Sequence, residues 1–241
     1  MVKRTFSLIF KNWKLFLPLL LLAFAIGLLA IGVNEETLIV VNVLIMLTLW
    51  LTVIFFARRI IKNKPVKFRD GIFNAMTPLF SALVVLVVLV IQCVPIMLVI
   101  IAYSSAVETE LFANMFYGSL FVLFAVAMCA LSLYLISGTL MAMVAVSAPG
   151  MYPVRALILT REVMVGEKLG LIVKLFMMVL VLALIWVAVV GIGVLIELGL
   201  RNVGQVVPVT NAAIFACGCF SVIYSAVYLY LFYCKVLKLK D

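Results

Sequence analysis

The sequence predicts an all-α protein of the membrane. It reads as a polytopic helical bundle of six transmembrane helices, with basic amphipathic interfacial helices preceding spans 1, 3 and 5 and both termini in the cytoplasm. Three observations predict this. First, 68% of the 241 residues are hydrophobic and only 11% are charged, whereas a soluble domain is nearer half apolar and a quarter charged. A soluble fold of this length cannot hide that much apolar surface, so the bilayer serves as solvent for most of it. Second, six apolar runs are each long enough to cross about 30 Å of hydrocarbon at about 1.5 Å per residue. Third, the basic residues fall on one side of the spans so defined.

The chain opens with MVKRTFSLIFKNWK. Over about 2–14, Phe6, Phe10 and Trp13 share one helical side, with Lys3, Ser7, Lys11 and Lys14 on another. This is the pattern of a helix lying in the headgroup layer. The first span, about 15–33, follows a basic start. It is too long for a signal-peptide core and has no clear small-residue cleavage site, so it reads as a retained helix. The second span covers about 38–57. Arg58, Arg59, Lys62 and Lys64 then lead to VKFRDGIFNAMT, the second interfacial helix at about 65–77, which sets Phe68, Ile72 and Met76 against Lys67, Asp70, Asn74 and Thr77.

The third span, about 79–103, carries Gln92 just before Cys93 and Pro95. A polar group at that depth needs a partner. Gln92 reads either as a hydrogen bond to a neighbouring helix beside a tolerated proline or as the lining of a kinked cavity. The fourth span, about 114–137, runs on without polar relief to Ala148. Such a run must tilt, kink near Ser137-Gly138-Thr139, or project beyond the bilayer.

Pro149 and Pro153 end that run, and Pro153 can start a new helix because its missing N–H is not needed there. The third interfacial helix is placed at about 153–166. Ala156 and Thr160 are small, four residues apart and suited to close packing. Arg155 and Glu162 point another way, and Val154, Ile158 and Val165 form an apolar strip. Gly166 can loosen the helix before the fifth span, about 170–196. Lys174 lies near the inner end of that span and can snorkel to the headgroups. Glu197 and Arg201, four apart at its outer end, are placed to pair. The sixth span, about 208–233, carries a small-residue stripe of Cys217, Ser221 and Ser225. It reads as a packing seam, with a substrate path as the other reading. Tyr228, Tyr230 and Tyr233 read as an aromatic belt at the inner interface.

Charge fixes the orientation. With the N-terminus inside, the cytoplasmic segments hold Lys3, Arg4, Lys11, Lys14, Arg58, Arg59, Lys62, Lys64, Lys67, Arg69, Arg155, Arg161, Lys168, Lys174, Lys235, Lys238 and Lys240, which is seventeen of the eighteen bases. Only Arg201 lies outside, and a wrong span count would scatter the bases over both sides. The net charge of +9 therefore reads as cytoplasmic loop charge facing anionic lipid headgroups. Lys11, Lys14, Arg58, Arg59, Lys67, Arg69, Arg155 and Arg161 are the candidate contacts, and nucleic acid is not an expected partner. The layout repeats three times: interfacial helix, span, short outer turn, span. The residue identities between these segments are too weak to establish a sequence repeat.

The third interfacial segment also carries a resemblance. Pro153-x-x-Ala156-Leu157-x-x-Thr160-x-x-Val163-x-x-Gly166 resembles the pattern P-x-x-A-L-x-x-S-x-x-L-x-x-G. That pattern marks the membrane domain of some bacterial glycerophosphoryl diester phosphodiesterases and related six-span bacterial or archaeal membrane proteins of unknown function. VKFRDGIFNAMTPLF is similar to the shorter cytoplasmic helix those proteins carry after span two. Thr160 and Val163 stand where Ser and Leu are commoner. The resemblance implies a membrane domain concerned with lipid handling or an accessory role. In the fused enzymes, hydrolysis belongs to a separate soluble domain rich in His, Glu and Asp, so it implies no activity for this chain.

Chemistry is otherwise scarce. The chain has no histidine, and its five cysteines lie inside apolar runs without a CxxC, which fits buried thiols rather than disulfides or metal ligands. No span carries an ionisable residue near its centre, as a proton relay would require, and there is no Walker motif. The expectation is a non-enzymatic integral protein of the cytoplasmic (inner) membrane, without cofactor or metal. Lipid interaction or scaffolding of a membrane or cytoplasmic protein partner is its expected role. The alternative is a permease subunit for a small molecule or peptide, working with a separate ATPase.

Overall fold

The apolar runs are rich in Leu, Val, Ala and Met, and proline falls mainly at their starts and breaks, so helix is the local outcome throughout. The computed structural model describes residues 1–29, 35–108, 115–148, 150–164, 166–202 and 209–237, and every regular element among them is an α-helix. In chain order these are α1 (Val2–Lys11), α2 (Trp13–Leu29), α3 (Glu35–Ile61), α4 (Phe68–Met76), α5 (Leu79–Gln92), α6 (Val94–Glu108), α7 (Met115–Ala145), α8 (Pro153–Val163), α9 (Lys168–Asn202) and α10 (Val209–Val236). Five spans are long and apolar enough to cross a membrane: α3, α5 with α6, α7, α9 and α10. The bent pair α1–α2 makes up to six. The chain is thus an all-helical protein with five to six candidate membrane-spanning helices.

Contacts divide it into two compact units, residues 1–79 with 173–241, and residues 80–172. The first is organised by α3 and α10. The C-terminal half of α3 is almost wholly buried, with Val53, Ile54, Phe56 and Ala57 inaccessible, and so is α10 from Ala226 to Phe232. Helix α2 packs on both. Helix α1 turns 84° into α2. Asn12 makes that corner: its side-chain amide donates to the Leu8 carbonyl at 2.9 Å, and its own carbonyl accepts from Leu15 N at 2.9 Å, starting the next helix.

In the second unit α7 is one unbroken helix through Ser137, Gly138 and Thr139. The helix continues, and Met141–Val146 are buried. The third span, read as one helix, is instead interrupted at Cys93. Pro95 has no N–H to give the Ile91 carbonyl, Cys93 N bonds Val90 O at 3.0 Å in a tighter turn, and Met97 N resumes the ladder on Cys93 O at 3.1 Å.

Each of the three short helices docks in the same manner. Helix α4 packs on α3, α8 on α7 and α1 on α10. Each buries two residues one turn apart, namely Gly71 and Ala75, Ala156 and Thr160, and Thr5 and Ile9. In chain order α3 precedes α4 and α7 precedes α8. If the order is closed on itself, α10 likewise precedes α1. The three short helices thus share a docking pattern in their contacts although the residue identities between them are weak.

Candidate functional site

In the first unit a groove of about 220 Å³ lies between α2, α3 and α4. Leu19 and Leu22 of α2 form one wall, Leu44, Ile45, Thr48, Leu49 and Thr52 of α3 the floor, and Ile72 and Met76 of α4 the other wall. The lining is apolar except for two threonines. Thr52 satisfies its own hydroxyl by donating to the Thr48 carbonyl at 2.8 Å, so the groove presents little polarity to an occupant. Its rim is open, with Leu22, Leu44 and Met76 exposed.

Helix α4 can stand this close to α3 because of Gly71. A Cβ built there would meet Cε1 of Phe56 first and lie 2.6 Å from Cζ. The Phe56 ring is itself held by Phe16 (centroids 6.4 Å apart) and Phe68 (6.1 Å). Sequence reasoning placed Phe68, Ile72 and Met76 on the apolar side of α4 and missed this small face. The signal was present as Gly71-x-x-x-Ala75, the spacing recognised in Ala156 and Thr160.

The outward faces of the short helices share a second feature. On α4, Phe73 and Met76 are exposed beside Lys67 and Arg69; on α8, Val154 and Ile158 are exposed beside Arg155 and Arg161; the first helix, expected over 2–14, ends at Lys11, so Phe10 and Lys11 are exposed on α1 while Trp13 and Lys14 are exposed on α2 beyond the corner. Six of the eight expected headgroup residues are therefore accessible. The other two are half-buried. Arg58 reaches Tyr230 of α10, and the Arg59 guanidinium lies 5.3 Å from the centroid of the Phe55 ring.

On α8, Pro153 takes the first helical position and Thr160 donates to the Ala156 carbonyl at 2.7 Å. Leu157 and Val163 are half-buried beside the Ala156–Thr160 face. The helix stops at Val163, before the expected 166, and Gly166 adopts φ +82° in the turn that follows, a conformation glycine takes without steric cost. Val165 lies outside the described residues.

The polar residues of the spans are placed as follows. Gln92 accepts a hydrogen bond from Thr139 at its side-chain oxygen (2.6 Å), and its carbonyl accepts from Ser132 (2.5 Å). Both donors lie on α7, so the break at Cys93 is answered by the facing helix. Ser221 donates to Cys217 O at 2.7 Å and accepts from the Trp186 indole at 2.9 Å, while Ser225 donates to Val222 O at 3.1 Å. Gln92 and the two serines are not brought together by any of these contacts.

One reading needs correction. Tyr228 and Tyr230 are not part of an aromatic belt: they are buried with Tyr224, and Tyr228 donates to the Lys174 carbonyl at 3.1 Å. The Lys174 ammonium lies 4.2 Å from the Phe232 ring centroid, a contact that suits a cation on an aromatic face. Glu197 accepts from Thr210 N at 3.2 Å, at the start of α10, where an anion is favoured. The expected pairing of Glu197 with Arg201 falls on a side chain outside the described residues. Among the described residues no group of three or more His, Cys, Asp or Glu could hold a metal. No family model, curated protein or solved structure matches the chain.

Proposed function

We propose that the protein is a non-enzymatic component of the cytoplasmic membrane that crosses it six times, keeps both termini inside and gathers anionic lipid through α1, α4 and α8. One observation carries this reading. Each short helix buries one face on a span and leaves exposed apolar residues beside exposed cations on its other side or at its end. That division suits a helix whose outer face dips into the headgroup layer, and each basic residue near an anionic surface contributes about 1 kcal/mol. The concentration of bases in the segments that hold these helices supports the orientation. The likeness of the α8 motif to the membrane domain of glycerophosphodiester phosphodiesterases agrees with a lipid-handling role and adds no catalytic step.

Two measurements test it. Reporter fusions after Lys64 and Glu162 are expected inside, and fusions after Glu36, Glu110 and Asn202 outside; two adjacent sites on one side would refute the topology. Lipid recovered with the protein in mild detergent is expected to be enriched in anionic headgroups, and less so after Lys11→Gln, Lys14→Gln, Arg155→Gln and Arg161→Gln together. Unchanged lipid composition in that variant would refute the lipid role. A stoichiometric ATPase in the same preparation would favour a permease subunit instead.

A further inference from the structure

We infer that the α2–α3–α4 groove is a specific site for one acyl chain of an anionic phospholipid of the cytoplasmic leaflet, with Arg69 taking the headgroup. The inference rests on the membrane placement proposed above and narrows it from three basic surfaces to one built site. The opening between Leu22, Leu44 and Met76 would face hydrocarbon, where a lipid tail is the occupant present at highest concentration.

Size and chemistry fit. A volume of about 220 Å³ is far above the roughly 10–15 Å³ that one water needs on the same measure, so the groove has room for part of an acyl tail. The floor from Leu44 to Thr52 spans eight residues of α3, about 12 Å at the helical rise, so the groove runs along the span rather than across it. Thr52 has already bonded Thr48 O, and nothing polar in the floor demands a polar occupant.

The headgroup end is set by α4. Arg69 precedes Ile72 by three residues and Met76 by seven, so all three share one side of the helix. Ile72 and Met76 line the groove; Arg69 is exposed one turn beyond them, next to Lys67. A tail in the groove therefore brings its phosphate toward a guanidinium, which can hold it with two parallel hydrogen bonds. Gly71 makes the site possible, because its missing side chain lets α4 close over the groove.

The test is native mass spectrometry of the delipidated chain, titrated in detergent with dioleoyl phosphatidylglycerol or dioleoyl phosphatidylcholine. The expectation is one retained lipid per chain, with about fivefold preference for the glycerol headgroup, as one cation beside a headgroup of net negative charge rather than a zwitterionic one gives. Arg69→Gln should abolish the preference but keep the adduct. Leu22→Phe at the open rim and Thr48→Phe on the floor should each remove the adduct; the rim variant keeps the test informative if the floor variant does not fold. An adduct that survives Leu22→Phe with unchanged affinity, or that has no headgroup preference in the unaltered chain, overturns the inference. The quadruple variant lacking Lys11, Lys14, Arg155 and Arg161 leaves the groove intact and should keep the adduct. If that variant loses nothing but Leu22→Phe does, the surface-helix role fails and the groove stands. The opposite pattern removes the groove and leaves the surface role.

Discussion

Gly71→Ala adds one methyl group in the middle of a helix, a change that ordinarily stabilises by about 1 kcal/mol. Here the sign should reverse. The new Cβ would fall within 2.6 Å of Phe56 Cζ and within 2.9 Å of Cδ1. The ring cannot swing aside: it is fully buried between Phe16 and Phe68. The strain of overpacking is about 1–3 kcal/mol. Set against the helix gain, the net loss is about 0–2 kcal/mol, toward the upper end because the ring is boxed. The assay is thermal unfolding in detergent, with Gly138→Ala and Gly218→Ala as references. Both reference glycines are helical and have nothing within 4 Å of a built Cβ, so both should be neutral or stabilising. Phe56→Leu should recover part of the Gly71→Ala loss when the two are combined, giving a coupling of opposite sign to either single effect. If all three glycine variants behave alike, or if Phe56→Leu and Gly71→Ala simply add, then α4 does not rest on the Phe56 ring and the account of the groove wall is wrong.

Ala156 is inaccessible against the second unit's helices, so Ala156→Trp should cost roughly 1–3 kcal/mol in the same melt; exposed Arg155→Gln should leave the melt unchanged. Thr139→Val removes the donor to the Gln92 side chain and should cost about 0.6–1.7 kcal/mol, the range measured for hydrogen bonds between membrane helices, whereas Ser119→Ala, whose hydroxyl serves only Phe116 O in its own helix, should be silent. Glu197→Gln keeps an acceptor at the start of α10 and should lose less stability than Glu197→Ala, since only the latter leaves Thr210 N without that cap; equal losses would mean charge alone matters there.

The long elements were legible because bilayer thickness and hydropathy leave few choices. α3, α7, α9 and α10 lie where apolar runs demanded helix. Pro153 and Gly166 bracketed α8 to within a few residues, and Ala156-x-x-x-Thr160 identified its packed face. Misreadings came where tertiary partners decide. A tyrosine near a span end fits an interfacial belt and a buried seam equally well, and only the packing of α10 on α3 puts Tyr228 and Tyr230 inside. The contact of Glu197 with Thr210 N was not legible either, because spacing along one helix is visible in a sequence while a helix start thirteen residues onward is not. The groove was not legible at all. Leu19, Leu44, Thr48 and Ile72 are ordinary span residues until three helices are assembled, and the glycine that sets their separation matters only opposite a phenylalanine fifteen positions earlier.

The docking of α1 on α10 has a consequence for synthesis. α4 and α8 emerge directly after the helices that receive them, so each can settle as soon as it is made. α1 is made first and its partner last. At about 5–20 residues per second, the ribosome needs roughly 10–40 s to supply Tyr224, against which Phe6 packs with ring centroids 5.1 Å apart. The unit that holds both ends of the chain is likewise interrupted by residues 80–172. Throughout that interval α1 has α2 beside it but lacks α10, and the half of α3 that α10 will cover stays uncovered. The later-made helix thus holds the earlier one, and a chain cut short before α10 leaves α1 without a helix it packs on.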